Sequence, residues 1–269
     1  MRRALLTALL LAACTTPEPE DDDVLSVEPA SIDLDEKADT TDPGGNVEVK
    51  VTLRSDQVAA AVKAFKLKSG SASSRDVWFY DTAGLELYGR GVLLRSRKVK
   101  DAPDDSTVKL RPLAPSEVAP SRFAQAGFKC ESDRTGTKTV PSCSLTVKQD
   151  QGEIDDVAEG KRTVDKLFSP EQEAFAARGG DVPWADLTAL GPVQASVWKV
   201  KVKGLSAHVT FEQWVIPGGP TVLEASMRVP ANGADAAAAE LAALLVRKGF
   251  DASSTQETKT QAAFSALGP

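Results

Sequence analysis

The sequence predicts an α+β domain built on an antiparallel sheet with flanking helices, and three observations lead there. Apolar and polar residues alternate with period two in many short segments, as in Val47, Val49, Val51 and Leu53 against Glu48, Lys50 and Thr52. Several helical stretches lie between and after them, enough to cover one side of a sheet. The polar positions of the strands are mostly Lys, Arg and Glu rather than Ser or Gln. An open sheet with one solvated face gives the same alternation. If the sheet closes, the charged face becomes the lumen of a barrel.

Each element follows from local pattern. After the first strand, Ser55 opens a helix through Leu67, with Val58, Val62 and Phe65 at helical spacing. Strands are predicted at Asp76–Thr82, Val92–Val99, Thr107–Leu113, Phe128–Asp133, Cys143–Gln149, Ala195–Lys203, Val209–Ile216 and Val222–Val229. Helices are predicted over Glu159–Ala177, interrupted by Pro170, over Asp235–Lys248 with Gly249 as its stop, and over Thr255–Leu267. Charges share faces along these strands. Arg95 lies with Arg97, Lys109 with Arg111, Lys199 with Lys201 and Lys203, Glu212 with His208, and Glu224 with Arg228.

Composition narrows the function. The chain has 269 residues, with 42% apolar, 26% charged and 6% aromatic residues. So few aromatics argue against a stacking platform for nucleic acid. The single histidine, His208, excludes polyhistidine metal sites. The net charge of −6 is unevenly spread: residues 1–42 hold three Lys/Arg and eleven Asp/Glu, which leaves the rest close to neutral.

The leader divides in two. Arg2 and Arg3 precede an apolar run from Ala4 to Ala13, too short to cross a bilayer and shaped like a secretory signal. Its end, Leu11-Ala12-Ala13-Cys14, resembles a bacterial lipobox, which implies a signal peptide over 1–13 and a lipid on Cys14. Thr15 follows, rather than the Asp associated with inner-membrane retention, so an outer-membrane anchor is expected. Residues 14–45 are acidic and read as a disordered tether, with the domain over 46–269. Setting Cys14 aside leaves Cys130 and Cys143, with Gly136 and Pro141 as turn signals between them. In an oxidising compartment the simplest reading is a disulfide-stapled hairpin, and two free thiols are the alternative.

A family resemblance lies in the order of the motifs. Val47-Glu48-Val49-Lys50 resembles the ExExK signature of the CYTH superfamily, the triphosphate tunnel metalloenzymes. Phe79-Tyr80-Asp81-Thr82, with Leu85, Leu87, Gly91, Leu94, Arg95, Ser96 and Arg97, resembles that family's central block. Thr107-Val108-Lys109-Leu110-Arg111 resembles its K-x-R strand, and Leu223-Glu224 with Thr258-Lys259-Thr260-Gln261 resembles its C-terminal end. The resemblance implies an antiparallel β-barrel, a tunnel of about eight strands, around a triphosphate or polyphosphate anion with Mg²⁺ or Mn²⁺. It implies Lys50, Arg95, Arg97, Lys109 and Arg111 as phosphate ligands, with Lys199 or Lys201, of which Lys201 is taken, as a further one. It implies Glu48 and Glu224 as metal ligands and Glu212 as the residue that orients water.

These residue types suit that chemistry. Arginine grips phosphate through paired N–H groups, and carboxylates suit a hard divalent ion. Asn46 stands where the signature has its first Glu, and Ser226 where a second late Glu is expected, so a two-metal site is weakened. The alternatives are a metal-dependent hydrolase, a tunnel that captures a polyanion without turnover, and a structural envelope lipoprotein with a degenerate tunnel.

Overall fold

The computed structural model describes residues 23–30, 45–252 and 257–269, so Cys14 and the predicted signal peptide lie outside the described residues. Among the described residues ten strands form one sheet: β1 (Val24–Pro29), β2 (Asn46–Leu53), β3 (Ser73–Asp81), β4 (Val92–Val99), β5 (Asp104–Leu110), β6 (Phe128–Thr135), β7 (Lys138–Gln149), β8 (Thr188–Val202), β9 (Val209–Val215) and β10 (Thr221–Pro230). Their order is β1-β8-β3-β4-β5-β7-β6-β2-β10-β9, and β9 pairs back onto β8. Nine strands therefore close into a barrel, and β1 lies alongside β8 as an extra strand.

The barrel is antiparallel but for β2 and β6, which run parallel, Asn46 beside Glu131 and Glu48 beside Asp133. A ring with an odd number of strands cannot alternate direction all the way round, so one parallel seam is required. β1 corrects part of the tether reading. Val24 and Val27 turn onto the core while Leu25, Ser26, Glu28 and Pro29 stay exposed. The strand pairs with β8, Glu28 opposite Lys199 and Ser26 opposite Lys201. Its two inward valines are hidden in sequence by the acids on either side.

The pleat sends alternate side chains to two different environments. Outside, Val49, Val51, Leu53, Phe211, Leu223 and Met227 pack beneath α1 (Val58–Ala64) and α5 (Ala234–Arg247). Phe65 at the end of α1 is fully buried against Phe211, ring centroids 4.5 Å apart. Burying such a side chain is worth about 1.5–3 kcal/mol, so these helices seal one outer wall. On the opposite wall Leu94, Val108, Leu110 and Leu145 lie beneath α3 (Glu153–Ala158), α4 (Pro170–Ala176) and the turns around them. Pro170 starts α4 rather than interrupting a longer helix, because at the first helical position its missing N–H is no loss. Ser169 caps that helix, its hydroxyl accepting from Gln172 N. Cys130 and Cys143 face each other across β6 and β7 and are joined by a disulfide on this wall.

A third apolar cluster lies inside one end of the barrel. Phe79 and Trp214 meet Ala262, Ala263 and Phe264 of α6 (Lys259–Leu267). Phe264 stacks on Tyr88 of the short α2 (Glu86–Gly89), centroids 4.2 Å apart and planes 11° apart. Thr258 caps α6, accepting from Gln261 N at 3.2 Å, so Lys259 becomes its first residue and projects into the lumen. Among the described residues no helix is long and apolar enough to cross a membrane.

Candidate functional site: the barrel lumen

The lumen is a cavity of about 1480 Å³ whose lining runs from Ala207 and His208 at one end to Pro112 and Gly136 at the other. Among the described residues eleven lysines and arginines line it against five carboxylates, Glu48, Glu131, Asp133, Glu212 and Glu224, and buried Asp105 pairs with Arg97, so cations exceed carboxylates by five. Closed walls keep water from screening this charge as it would on an open sheet.

The cations differ in how they are held. On β2, Lys50 Nζ lies 2.9 Å from Glu48 and 2.7 Å from Asp133. On β5, Lys109 Nζ lies 3.0 Å from Asp133 and 3.5 Å from Glu131, and Arg111 approaches Asp133 at 3.7 Å. Lys129 and Arg228 reach Glu131 at 3.4 and 3.7 Å. Burial alone would raise the Asp133 pKa, but Lys50 and Lys109 override it and hold the carboxyl well below its usual range. Glu131 behaves alike: burial opposes, and Lys129, Lys109 and Lys50 bring it to about 2. Arg97 is committed to Asp105, its Nε donating at 3.0 Å to each carboxylate oxygen.

Arg95 is different. Its Nε is buried with no hydrogen-bond partner among the described residues. Burial and the neighbouring Arg97 push its pKa down to about 10. It lies opposite Phe79 on one side and Thr107 on the other. A buried N–H without a partner is costly, and an entering anion would relieve that cost.

Three carboxylates converge at the β2–β6 seam. Glu48, Glu131 and Asp133 each bring an oxygen to within 4.8 Å of the others. Asp133 Oδ1 is buried and faces Lys50 Nζ at 2.7 Å. An all-oxygen set of three convergent carboxylates fits a hard divalent ion such as Mg²⁺ or Mn²⁺.

The remaining two carboxylates lie elsewhere. Glu212 on β9 and Glu224 on β10 are directly opposite each other, and Lys259 of α6 contacts both. Burial would raise Glu212, but Lys259 and Arg75, with hydrogen bonds from Lys259 and Trp214, hold it well below the usual carboxylate range.

Of the residues singled out from sequence, Lys50, Arg95, Arg97, Lys109, Arg111, Glu48, Glu212 and Glu224 all line the cavity. Glu48 and Glu224 do not meet: Glu224 is opposite Thr52, four positions along β2 from Glu48, about 13 Å at strand spacing. Lys199 lines the lumen and Lys201 does not; Lys201 lies exposed beyond it, where β8 runs past the ring to pair with β1. Sequence reasoning missed Glu131 and Asp133, although Lys129, Glu131 and Asp133 share a face of β6. It also missed Arg75, whose Nη2 donates to Ala30 O at 2.8 Å.

The described strands thus enclose a lumen richer in cations than in carboxylates, with a carboxylate cluster set into its wall. No protein-family model matches the chain, and no curated protein matches it in sequence. Solved structures do match. HpAC1 from Hippeastrum, named as an adenylyl cyclase and described as having a dominant triphosphatase activity, aligns with a TM-score of 0.58 at 14% identity, over 81% of this chain and 94% of that one. A Bacillus halodurans protein named as an adenylate cyclase aligns with a TM-score of 0.52 at 14% identity, over 80% of this chain and 94% of that one. At that identity the likeness is one of fold: the domain has the CYTH-like tunnel fold.

Proposed function

We propose that the lumen binds a triphosphate- or polyphosphate-type anion together with a divalent metal. The observation that carries this reading is the excess of cations over carboxylates inside closed walls. A triphosphate brings about four negative charges, and its oxygens match both the arginine fork and the lysine point charges. Arg95 is the first contact, because its buried Nε has no hydrogen-bond partner to give up among the described residues. Lys50 and Lys109 follow by turning from Asp133 toward phosphate, which leaves Glu48, Glu131 and Asp133 to hold Mg²⁺ or Mn²⁺. When bound, the metal supplies positive charge at the phosphate oxygens.

Hydrolysis is the second reading, favoured by the three-carboxylate cluster beside the phosphate-binding cations. In it Lys50, Arg95 and Lys109 hold the anion in line for attack, and catalysis is mainly positioning and charge neutralisation. Glu212 is tied to Lys259 and Trp214, so it serves the reaction as a positioning residue.

We further propose that the mature chain begins at Cys14, carries a lipid there and works in the cell envelope, at the outer membrane. The lipobox-like sequence supports this, and so does a disulfide at Cys130–Cys143, which belongs to an oxidising compartment.

The test is a thermal-shift titration of the full chain with tripolyphosphate, with and without Mg²⁺ or Mn²⁺, beside a phosphate-release assay. Stabilisation that metal enhances and Arg95→Met abolishes is the expected result. No shift at millimolar tripolyphosphate in the wild type overturns the proposal. Binding without phosphate release leaves capture as the function.

A further inference from the structure

Glu212 and Glu224 are directly opposite on β9 and β10, both facing the lumen. Two carboxylates so placed repel each other and call for a cation between them. The chain supplies one itself. Lys259 Nζ lies 2.9 Å from Glu224 Oε1, touches Glu212 Oε2, and sits 5.3 Å from the centre of the Trp214 ring. The other Glu212 oxygen accepts from Trp214 Nε1 at 2.7 Å. The ammonium is held in place by the fold rather than by a loose stem. Lys259 is the first residue of α6, Thr258 caps that helix, and Phe264 fixes it between Phe79 and Tyr88. Its side chain is only 14% exposed.

We infer that Lys259 is a built-in cation filling the second cation seat of the tunnel, so that the lumen takes one divalent ion, at Glu48, Glu131 and Asp133, and not two. Asn46 and Ser226 agree with this. Each stands where another carboxylate would help to hold a second metal, and Ser226 lies opposite Lys50, beside the lysine-filled pair. The count of one rests on the metal reading above; the filling of the Glu212–Glu224 seat does not.

The experiment is the stoichiometry of Mn²⁺ binding to the full chain by equilibrium dialysis, for wild type, Lys259→Ala and Lys259→Met. The methionine keeps an apolar stem against Trp214, so at least one variant retains α6, checked by circular dichroism and melting temperature. The expected result is one Mn²⁺ per wild-type chain and two per variant chain, the gained site lost again when Glu224→Gln is added. None in the wild type and one in the variants supports the lysine-filled seat and overturns the Glu48–Glu131–Asp133 site. An unchanged count in the folded variants, or two ions in the wild type, overturns the inference.

Discussion

Asp133 carries three ion pairs in the lumen, two of them at 3.0 Å or closer, and replacing it separates what it does for stability from what it does for binding. Lys50 Nζ is 2.7 Å away, Lys109 Nζ 3.0 Å and Arg111 3.7 Å, and the carboxylate is 2% exposed. Asp133→Asn keeps the volume and removes the charge. Breaking a buried pair costs about 3–5 kcal/mol, and the lower end applies because Glu48 and Glu131 remain near the same lysines. For a chain of this size about 3 kcal/mol lowers the melting temperature by roughly 6–12 °C. Binding should move the other way. Without metal, tripolyphosphate no longer competes with Asp133 for Lys50 and Lys109, so the variant binds it more tightly than the wild type does. At a hundred times its Kd the ligand restores about 2.7 kcal/mol, most of what was lost. With Mg²⁺ the order reverses, because the carboxylate cluster is incomplete. Scanning fluorimetry of both proteins, with and without each ligand, reads all of this. Weaker metal-free binding by Asp133→Asn, or an undiminished Mg²⁺ effect, would refute the reasoning.

Two further outcomes follow from the same contacts. Glu131 and Glu212 titrate below the ordinary carboxylate range in the folded state, so their contribution is complete above about pH 4.3 and drains away as pH falls toward 2; the melting temperature should be nearly flat above pH 5, fall below it, and fall less steeply in Glu131→Gln. Phe264→Ala removes a ring that is 3% exposed and should cost about 3–5 kcal/mol; limited proteolysis should then cut within residues 259–267 while the barrel stays folded.

Much of the fold was legible because the pleat writes itself into sequence. The strand expected at Val92–Val99 is β4 residue for residue, and its alternation correctly sends Arg95 and Arg97 to one face. What stayed hidden depends on neighbours brought together from a distance. Lys199 and Lys201 have the same parity, and only the point where β8 leaves the ring tells them apart. Glu131 and Asp133 become a cluster with Glu48 only because β6 runs parallel beside β2, a pairing that the strand pattern at Phe128–Asp133 does not encode. The lysine at Glu212 and Glu224 arrives from a helix whose start is set by the Thr258 cap, a tertiary placement that no strand periodicity encodes.

The parallel seam has a consequence for how the barrel comes together. Most neighbouring strands in the ring are joined by a short connection, but β2 and β6 belong to distant parts of the chain and meet only through register. Closure entropy makes such a junction slow to form and easy to part. Glu48 and Asp133 stand across it from each other, with Lys50 bridging them. Those ion pairs act as a clasp on one of the long-range joints of the ring, and a ligand held there would fasten it further. Occupancy of the lumen would then be felt as the rate at which the barrel breathes.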